Sequence, residues 1–276
     1  MKRVYIINSR GEKESFSLKK VYRSCRRSGA SKTLSKEIAE KIKKMVYPGM
    51  ETSEIFRLVK LFLSETSPNL LMRASLKEAM RKLGPSGFDF EKYIGEIFAR
   101  NGFEVKMNQI ISGFCASSYE IDFLAKKQNI VYLGECKYHY MPGERVDLKI
   151  ALANYARFLD ISKTPRFKNL NLKTIIVTNT KFTSEVVKYS KCMGLDLLGW
   201  KYPPKQGLEN IIESSKLYPI TILPSLKGYL KKVFAEKRIM LALDLLNVSP
   251  ENLAKKLRLP LSQVEDLINE AEMLLE

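Results

Sequence analysis

Asp122, Glu135 and Lys137 are the residues of this 276-residue chain whose types and spacing could do chemistry together. They lie in Tyr119-Glu120-Ile121-Asp122-Phe123-Leu124 and, after a short gap, in Tyr132-Leu133-Gly134-Glu135-Cys136-Lys137. If Gln128-Asn129 makes a two-residue hairpin turn, Lys127 faces Ile130, Leu124 faces Leu133 and Asp122 faces Glu135. Alternation along a strand then points Glu135 and Lys137 the same way, and opposed residues hold their Cβ atoms roughly 5 Å apart. Two carboxylates at that spacing repel each other unless a cation lies between them. Mg²⁺, or Mn²⁺, accepts one or two carboxylates and keeps several waters. Such a water can attack a phosphodiester while the metal draws charge from a phosphate oxygen. The lysine can orient or deprotonate that water, or stabilise developing negative charge. Nearby cations are expected to lower the Lys137 pKa. The competing reading is a cross-strand ion cluster on a solvated face. Against it, Ile121, Phe123, Tyr132 and Cys136 make the opposite face apolar, and Leu124 and Leu133 make this face partly apolar, a costly setting for unpaired charge.

The elements that must hold these residues can be traced by periodicity. Residues 88–101 repeat Phe90, Ile94, Ile97 and Phe98 at helical spacing and end at Gly102. Strands follow at about 103–111, 119–126 and 130–137, then a helix at 147–161, a strand at 174–178, a helix at 182–193 and a short strand at 196–200. That order predicts an α/β core with a mixed sheet. Before it, strand-like pieces at 3–8 and 13–16 lead to helices at 18–28, 35–46, 52–66 and 69–82, with Ser35 and Thr52 as N-caps. Gly84-Pro85-Ser86-Gly87 reads as a linker. After Pro203-Pro204 the pattern is helical to the end. The expected domains are therefore 1–83, mostly helical; 88–203, the mixed-sheet core; and 204–276, a helical bundle.

Composition narrows the chemistry. The only histidine is His139, and the cysteines at 25, 115, 136 and 192 form no CxxC pair. A Ser-His-Asp hydrolase, a multi-histidine metal site and a zinc ribbon are all disfavoured. The net charge is +17 and uneven. Residues 1–82 carry 20 Lys and Arg against 8 Asp and Glu, and residues 83–276 carry 27 against 22. That asymmetry points to a polyanionic partner. No apolar run is long enough to span a membrane, and the first residues are too strand-like for a signal peptide. A cytoplasmic protein without a membrane partner is expected.

Phe90-Glu91 on a helix, Gly102-Phe103-Glu104-Val105, Glu120-Ile121-Asp122 and Glu135-Cys136-Lys137 together resemble the Mrr-like restriction endonuclease branch of the PD-(D/E)xK nucleases, over residues 88 to about 200. The resemblance implies that Asp122 and Glu135 bind metal, that Lys137 is catalytic, and that a helix glutamate joins them: Glu91, with Glu96 as the alternative. The helix at 147–161 packs beside the site in that family, so Tyr155, Arg157 and Asp160 are candidates for polar contributions as well as for plain packing and surface charge. His139 reads either as a phosphate contact, if its strand continues, or as a strand-end surface residue. Trp200 is expected in the core.

Residues 3–82 resemble the ATP-cone, a small regulatory nucleotide-binding domain. The resemblance rests on Gly11, on Glu14 through Val21, on Ser28-Gly29-Ala30-Ser31 and on Glu51-Thr52-Ser53-Glu54-Ile55. It implies ATP or dATP as a ligand, with Arg10, Lys20 and Thr52 at the phosphates and Lys20 matching the family's phosphate-facing lysine. Asn8-Ser9-Arg10-Gly11 departs from the family's basic pair before the glycine turn. At the other end, Ser249-Pro250 starts one helix and Leu259-Pro260 separates it from another. The pair is similar to a helix-hairpin-helix or helix-turn-helix, and reads equally as a packing or dimerising hairpin. The expected function is a metal-dependent DNA endonuclease regulated by ATP or dATP, with DNA, nucleotide and a second copy of the chain as partners. The alternatives are a non-catalytic nucleotide-sensing DNA-binding regulator on a nuclease-like scaffold, and an RNA-cleaving enzyme using the same site.

Overall fold

Residues 4–84 and 88–276 are described by the computed structural model. The linker expected at 84–87 falls largely on residues 85–87, outside them. Packing divides the chain into two units. One runs to Met80 and takes in Ile220–Lys231 and Ala242–Glu276; the other holds Arg81–Pro219 and Lys232–Leu241. This partition differs from three consecutive segments, because residues 242–276 share a unit with the N-terminal helices while residues 204–219 and 232–241 belong with the sheet.

The N-terminal part opens with the antiparallel pair β1 (Tyr5–Ile7) and β2 (Lys13–Ser15). Helices α1 (Leu18–Arg27), α2 (Lys32–Met45), α3 (Thr52–Ser64), α4 (Pro68–Ala74) and α5 (Leu76–Arg81) follow. Val21, Cys25, Ile38, Ile42, Ile55, Val59 and Leu63 recur at helical spacing and bury together. Ser17 and Ser31 cap α1 and α2 by accepting the backbone N–H groups of Lys20 and Leu34. The expected caps differ. Ser35 is buried within α2, which starts a turn before its apolar residues, and Glu51 rather than Thr52 precedes α3. The helix expected at 69–82 is broken at Ser75, whose hydroxyl donates to the Leu71 carbonyl at 2.9 Å.

The second unit carries the mixed sheet. Helix α6 (Phe88–Arg100) precedes β3 (Glu104–Ile111), β4 (Tyr119–Lys127) and β5 (Ile130–Lys137). Then come β6 (Arg145–Val146), α7 (Leu148–Ser162), β7 (Asn171–Thr178), β8 (Lys181–Phe182), α8 (Ser184–Met193), β9 (Asp196–Leu198) and α9 (Leu208–Ser214). Five strands form the sheet in the order β3-β4-β5-β7-β9. The first three are antiparallel neighbours, and β5, β7 and β9 are parallel. Antiparallel strands can close through a tight turn, whereas the parallel steps need the crossover helices α7 and α8. Phe90, Ile94, Ile97 and Phe98 of α6 are buried as their spacing predicts, and Trp200 is buried.

The C-terminal part contains α10 (Leu230–Glu236), a 3₁₀ turn at Ala242–Asn247, α11 (Pro250–Leu257) and α12 (Leu261–Leu275). Ser249 caps α11, with Pro250 at its first position. Helix α12 is held to α4 by the Arg73 guanidinium, which donates to the Leu274 carbonyl at 2.8 Å. No helix among the described residues is long and apolar enough to cross a membrane.

Candidate active site

The β4–β5 hairpin is where the sequence places it. Lys127 pairs with Ile130, and Gln128 takes the left-handed conformation (φ 54°) that a two-residue turn demands. Pairing runs to Phe123↔Gly134 and stops there. Gly134 is required at that pair, because a Cβ on it would lie 2.2 Å from the Phe123 ring. Beyond it Asp122 substitutes a side chain for the ladder. Its carboxylate accepts the Cys136 backbone N–H at 2.6 Å. A charge-assisted bond of this kind contributes about 1.5–3 kcal/mol.

Strand β4 changes its facing at this residue. Phe123 packs on Phe98 of α6, with ring centroids 4.8 Å apart. Ile121 clusters instead with Leu124, Leu133 and Ile161, on the α7 side. Strict alternation would put Ile121 with Phe123, so the expected apolar face loses Ile121. The residue of β3 at the same level, Asn108, has φ 49°. This irregularity turns the Asp122 carboxylate toward β5.

Glu135, 8% exposed, lies beside two cations. Lys137 Nζ is 2.6 Å from one carboxylate oxygen, and the Arg157 guanidinium donates to the other. Arg157 also donates to the Glu120 carbonyl at 2.8 Å, tying α7 to the start of β4. Burial and the Glu135 charge raise the Asp122 pKa, partly offset by the Cys136 N–H and by Lys137. Burial raises Glu91 to about 7, helped by the charges of Asp122 and Glu135. The helix glutamate is thus within electrostatic reach of both strand carboxylates, while Glu96 lies five residues further on, about 7.5 Å along the helix axis. At Lys137 the lowered pKa expected from nearby cations is reversed. Burial lowers it, but the hydrogen bond and charge of Glu135 outweigh burial and leave it raised.

A groove of about 480 Å³ opens here, lined by Tyr119, Glu135, Lys137, Lys149, Asn154 and Arg157 among others. The donors are the oxygen ligands that a hard divalent ion takes; burial first, and neighbouring carboxylate charge second, raise the pKa values of Glu91 and Asp122. With the side chains as they stand, no group of three or more acidic, His or Cys residues forms a ready cage among the described residues. Asp122 and Glu135 would therefore share such an ion with water, as magnesium permits.

The profile of the AF1548-like, C-terminal family matches residues 218–275. An uncharacterized protein of Archaeoglobus fulgidus is 36% identical over 179 residues, spanning 65% of this chain and 98% of that protein. The chain belongs to the AF1548-like family. A crystal structure titled as AF1548, a protein of unknown function, is similar at 34% identity with a TM-score of 0.59, covering 68% of this chain and 97% of that one.

In this AF1548-like protein the remaining candidates fall into place around the site or away from it. Strand β5 ends at Lys137. His139 is instead fixed to the end of β7, its backbone exchanging two 2.9 Å bonds with the Asn179 side chain and its Nδ1 lying 3.2 Å from Thr180 Oγ1. Burial lowers its pKa. Tyr155 packs on Phe158 and Tyr189. Asp160 organises the β3–β4 loop by accepting the N–H groups of Cys115 and Ala116 and the Tyr119 hydroxyl, contacts that depress its pKa. Asn154 was not anticipated. It is buried, accepts the Thr174 hydroxyl at 2.6 Å and lines the groove. Its signal was an amide at core spacing between Ala151 and Ile161.

In the N-terminal unit, Lys20 is exposed and pairs with Glu14 at 3.0 Å, and Arg10 pairs with Glu12 at 3.5 Å. Thr52 begins α3, next to a bridge between Glu51 and Ile7 of β1.

Proposed function

We propose that this chain hydrolyses DNA phosphodiester bonds at Asp122, Glu135 and Lys137, under the control of ATP or dATP bound by its N-terminal unit. The observation that carries the reading is the end of the β4–β5 ladder. There Asp122 takes the Cys136 N–H in place of a strand partner, and Glu135 and Lys137 meet 2.6 Å apart across one residue of β5. In this reading Asp122 and Glu135 hold Mg²⁺ or Mn²⁺, and Glu91 adds charge from α6. The ion supplies Lewis acidity toward a phosphate oxygen and a more acidic water. Lys137, held protonated by Glu135, places positive charge where the phosphorane oxygens gather negative charge. Arg157 fixes the Glu135 rotamer, so the carboxylate does not have to be ordered when substrate arrives. Arg10, Lys20 and Thr52 face the nucleotide phosphates, and a cytoplasmic location follows from these partners.

The test is incubation of supercoiled and linear DNA with purified protein, with Mg²⁺ or chelator, with and without ATP. Cleavage should require the metal, respond to ATP, and vanish in Asp122→Ala and Lys137→Ala. Cleavage surviving both substitutions would sink the assignment. One observation favours a second reading, a non-catalytic DNA-binding regulator: both Glu135 oxygens are engaged by cations of the chain itself. That reading gains if DNA binds without being cut under any metal.

A further inference from the structure

The loop between β3 and β4 is built to hold one exposed aromatic ring in place. Phe114 is 69% exposed. Its backbone N–H donates to the Asp160 carbonyl at 3.2 Å, and the next two N–H groups donate to the Asp160 carboxylate at 2.9 and 3.1 Å. Gly113 completes the seat, because a Cβ there would lie 2.0 Å from an Asp160 carboxylate oxygen. Three successive donors converging on one residue fix the backbone that carries the ring, whereas an exposed loop usually keeps its freedom. The ring is therefore presented, at a hydrophobic cost to the free protein.

The seat of this loop adjoins the groove. Asp160 is three residues after Arg157 on α7, about 4.5 Å along the axis. Tyr119 both lines the groove and donates to Asp160 at 3.1 Å. Three cations, Lys137, Lys149 and Arg157, line the groove with one carboxylate, Glu135, which pairs with Lys137 and Arg157, so the groove keeps a surplus of positive charge. An exposed apolar ring on a fixed backbone, in a loop adjoining a groove with surplus cations, is complementary to a nucleotide of a polymer, with base on the ring and phosphate on the cations. In a regular duplex the bases are stacked on one another, so the ring can be used fully only where a base is unpaired.

We propose that Phe114 stacks on an unpaired nucleobase of a DNA strand whose phosphate lies in the Lys137–Lys149–Arg157 groove, so that the site prefers single-stranded, gapped or branched DNA over continuous duplex. This rests on the nucleic-acid reading of the groove and adds the structural class of the substrate. The test uses the full chain in chelator, so that binding is read without cleavage. A DNA strand carrying 2-aminopurine is offered as single strand, as a duplex with the analogue in a gap, and as continuous duplex. The wild-type protein should quench the unpaired analogue and bind the unpaired forms more tightly. Phe114→Ala should lose the quench and bind unpaired DNA about tenfold more weakly, with duplex affinity little changed, while Phe114→Trp should restore both. Equal affinity of wild type and Phe114→Ala for the unpaired forms overturns the proposal. So does a Phe114→Ala defect confined to self-association in sedimentation, which would make the ring a chain–chain contact. Failure of the hydrolytic reading is separable: quenching without cleavage in Mg²⁺ leaves the stacking site standing, and cleavage without quenching removes it.

Discussion

Replacing Glu91 by glutamine should stabilise the protein, and only at neutral to alkaline pH. The folded chain raises this carboxyl from near 4.5 to about 7, through burial and then through Asp122 and Glu135. A carboxyl with a raised folded pKa binds more protons folded than unfolded between those two values, so stability falls as pH climbs through that window. Its contribution is complete below about pH 4.5 and gone above about pH 7. Each unit is worth about 1.36 kcal/mol, giving an upper figure of about 3 kcal/mol, which partial solvent access reduces to about 2. Glutamine is neutral at every pH and should melt as the protonated form does. For a unit of roughly 150 residues that difference is about 4–8 °C at pH 8, shrinking toward zero at pH 4.5. Differential scanning calorimetry of wild type and Glu91→Gln across pH 4.5–8 reads it directly. A glutamine variant that melts no higher than wild type at pH 8, or an offset that does not change with pH, would refute the argument that burial, reinforced by Asp122 and Glu135, disfavours the Glu91 charge.

Other outcomes follow from the same geometry. Gly134→Ala drives a Cβ into the buried Phe123 ring and should cost about 1–3 kcal/mol, read as a lower melting temperature; an unchanged melt would mean that the ring can move aside. Asp122→Asn keeps an acceptor for the Cys136 N–H and should be at least as stable as Asp122→Ala, which strands that buried donor at a cost of about 1–3 kcal/mol; chemical denaturation that ranks alanine the more stable would count against the bond. In the N-terminal unit, Lys20→Ala should weaken ATP binding measured by calorimetry, and equal heats for the two proteins would remove Lys20 from the phosphate site.

The sequence alone determined the mixed α/β order and the hairpin register as far as Phe123↔Gly134; the Asp122–Glu135 pair it also predicts is not made, because Asp122 takes the Cys136 N–H instead. A buried face makes a one-residue slip costly, and Gln128-Asn129 leaves few other turns. Glu91 was legible through the resemblance, not through periodicity, which would read it as a solvated helix residue. The facing switch at Asp122 was not legible, because nothing local marks a break in alternation; it comes from α6 claiming Phe123 while α7 claims Ile121. The direction of the Lys137 shift likewise depended on which charge lies nearer, and a carboxylate at 2.6 Å outweighs the guanidinium behind it. Arg157, Asn154 and the Asp160 seat under Phe114 are contacts between residues 20 to 45 apart in sequence. Only the docking of α7 on the sheet could bring them together, since pattern records which face a residue takes and not what it meets there.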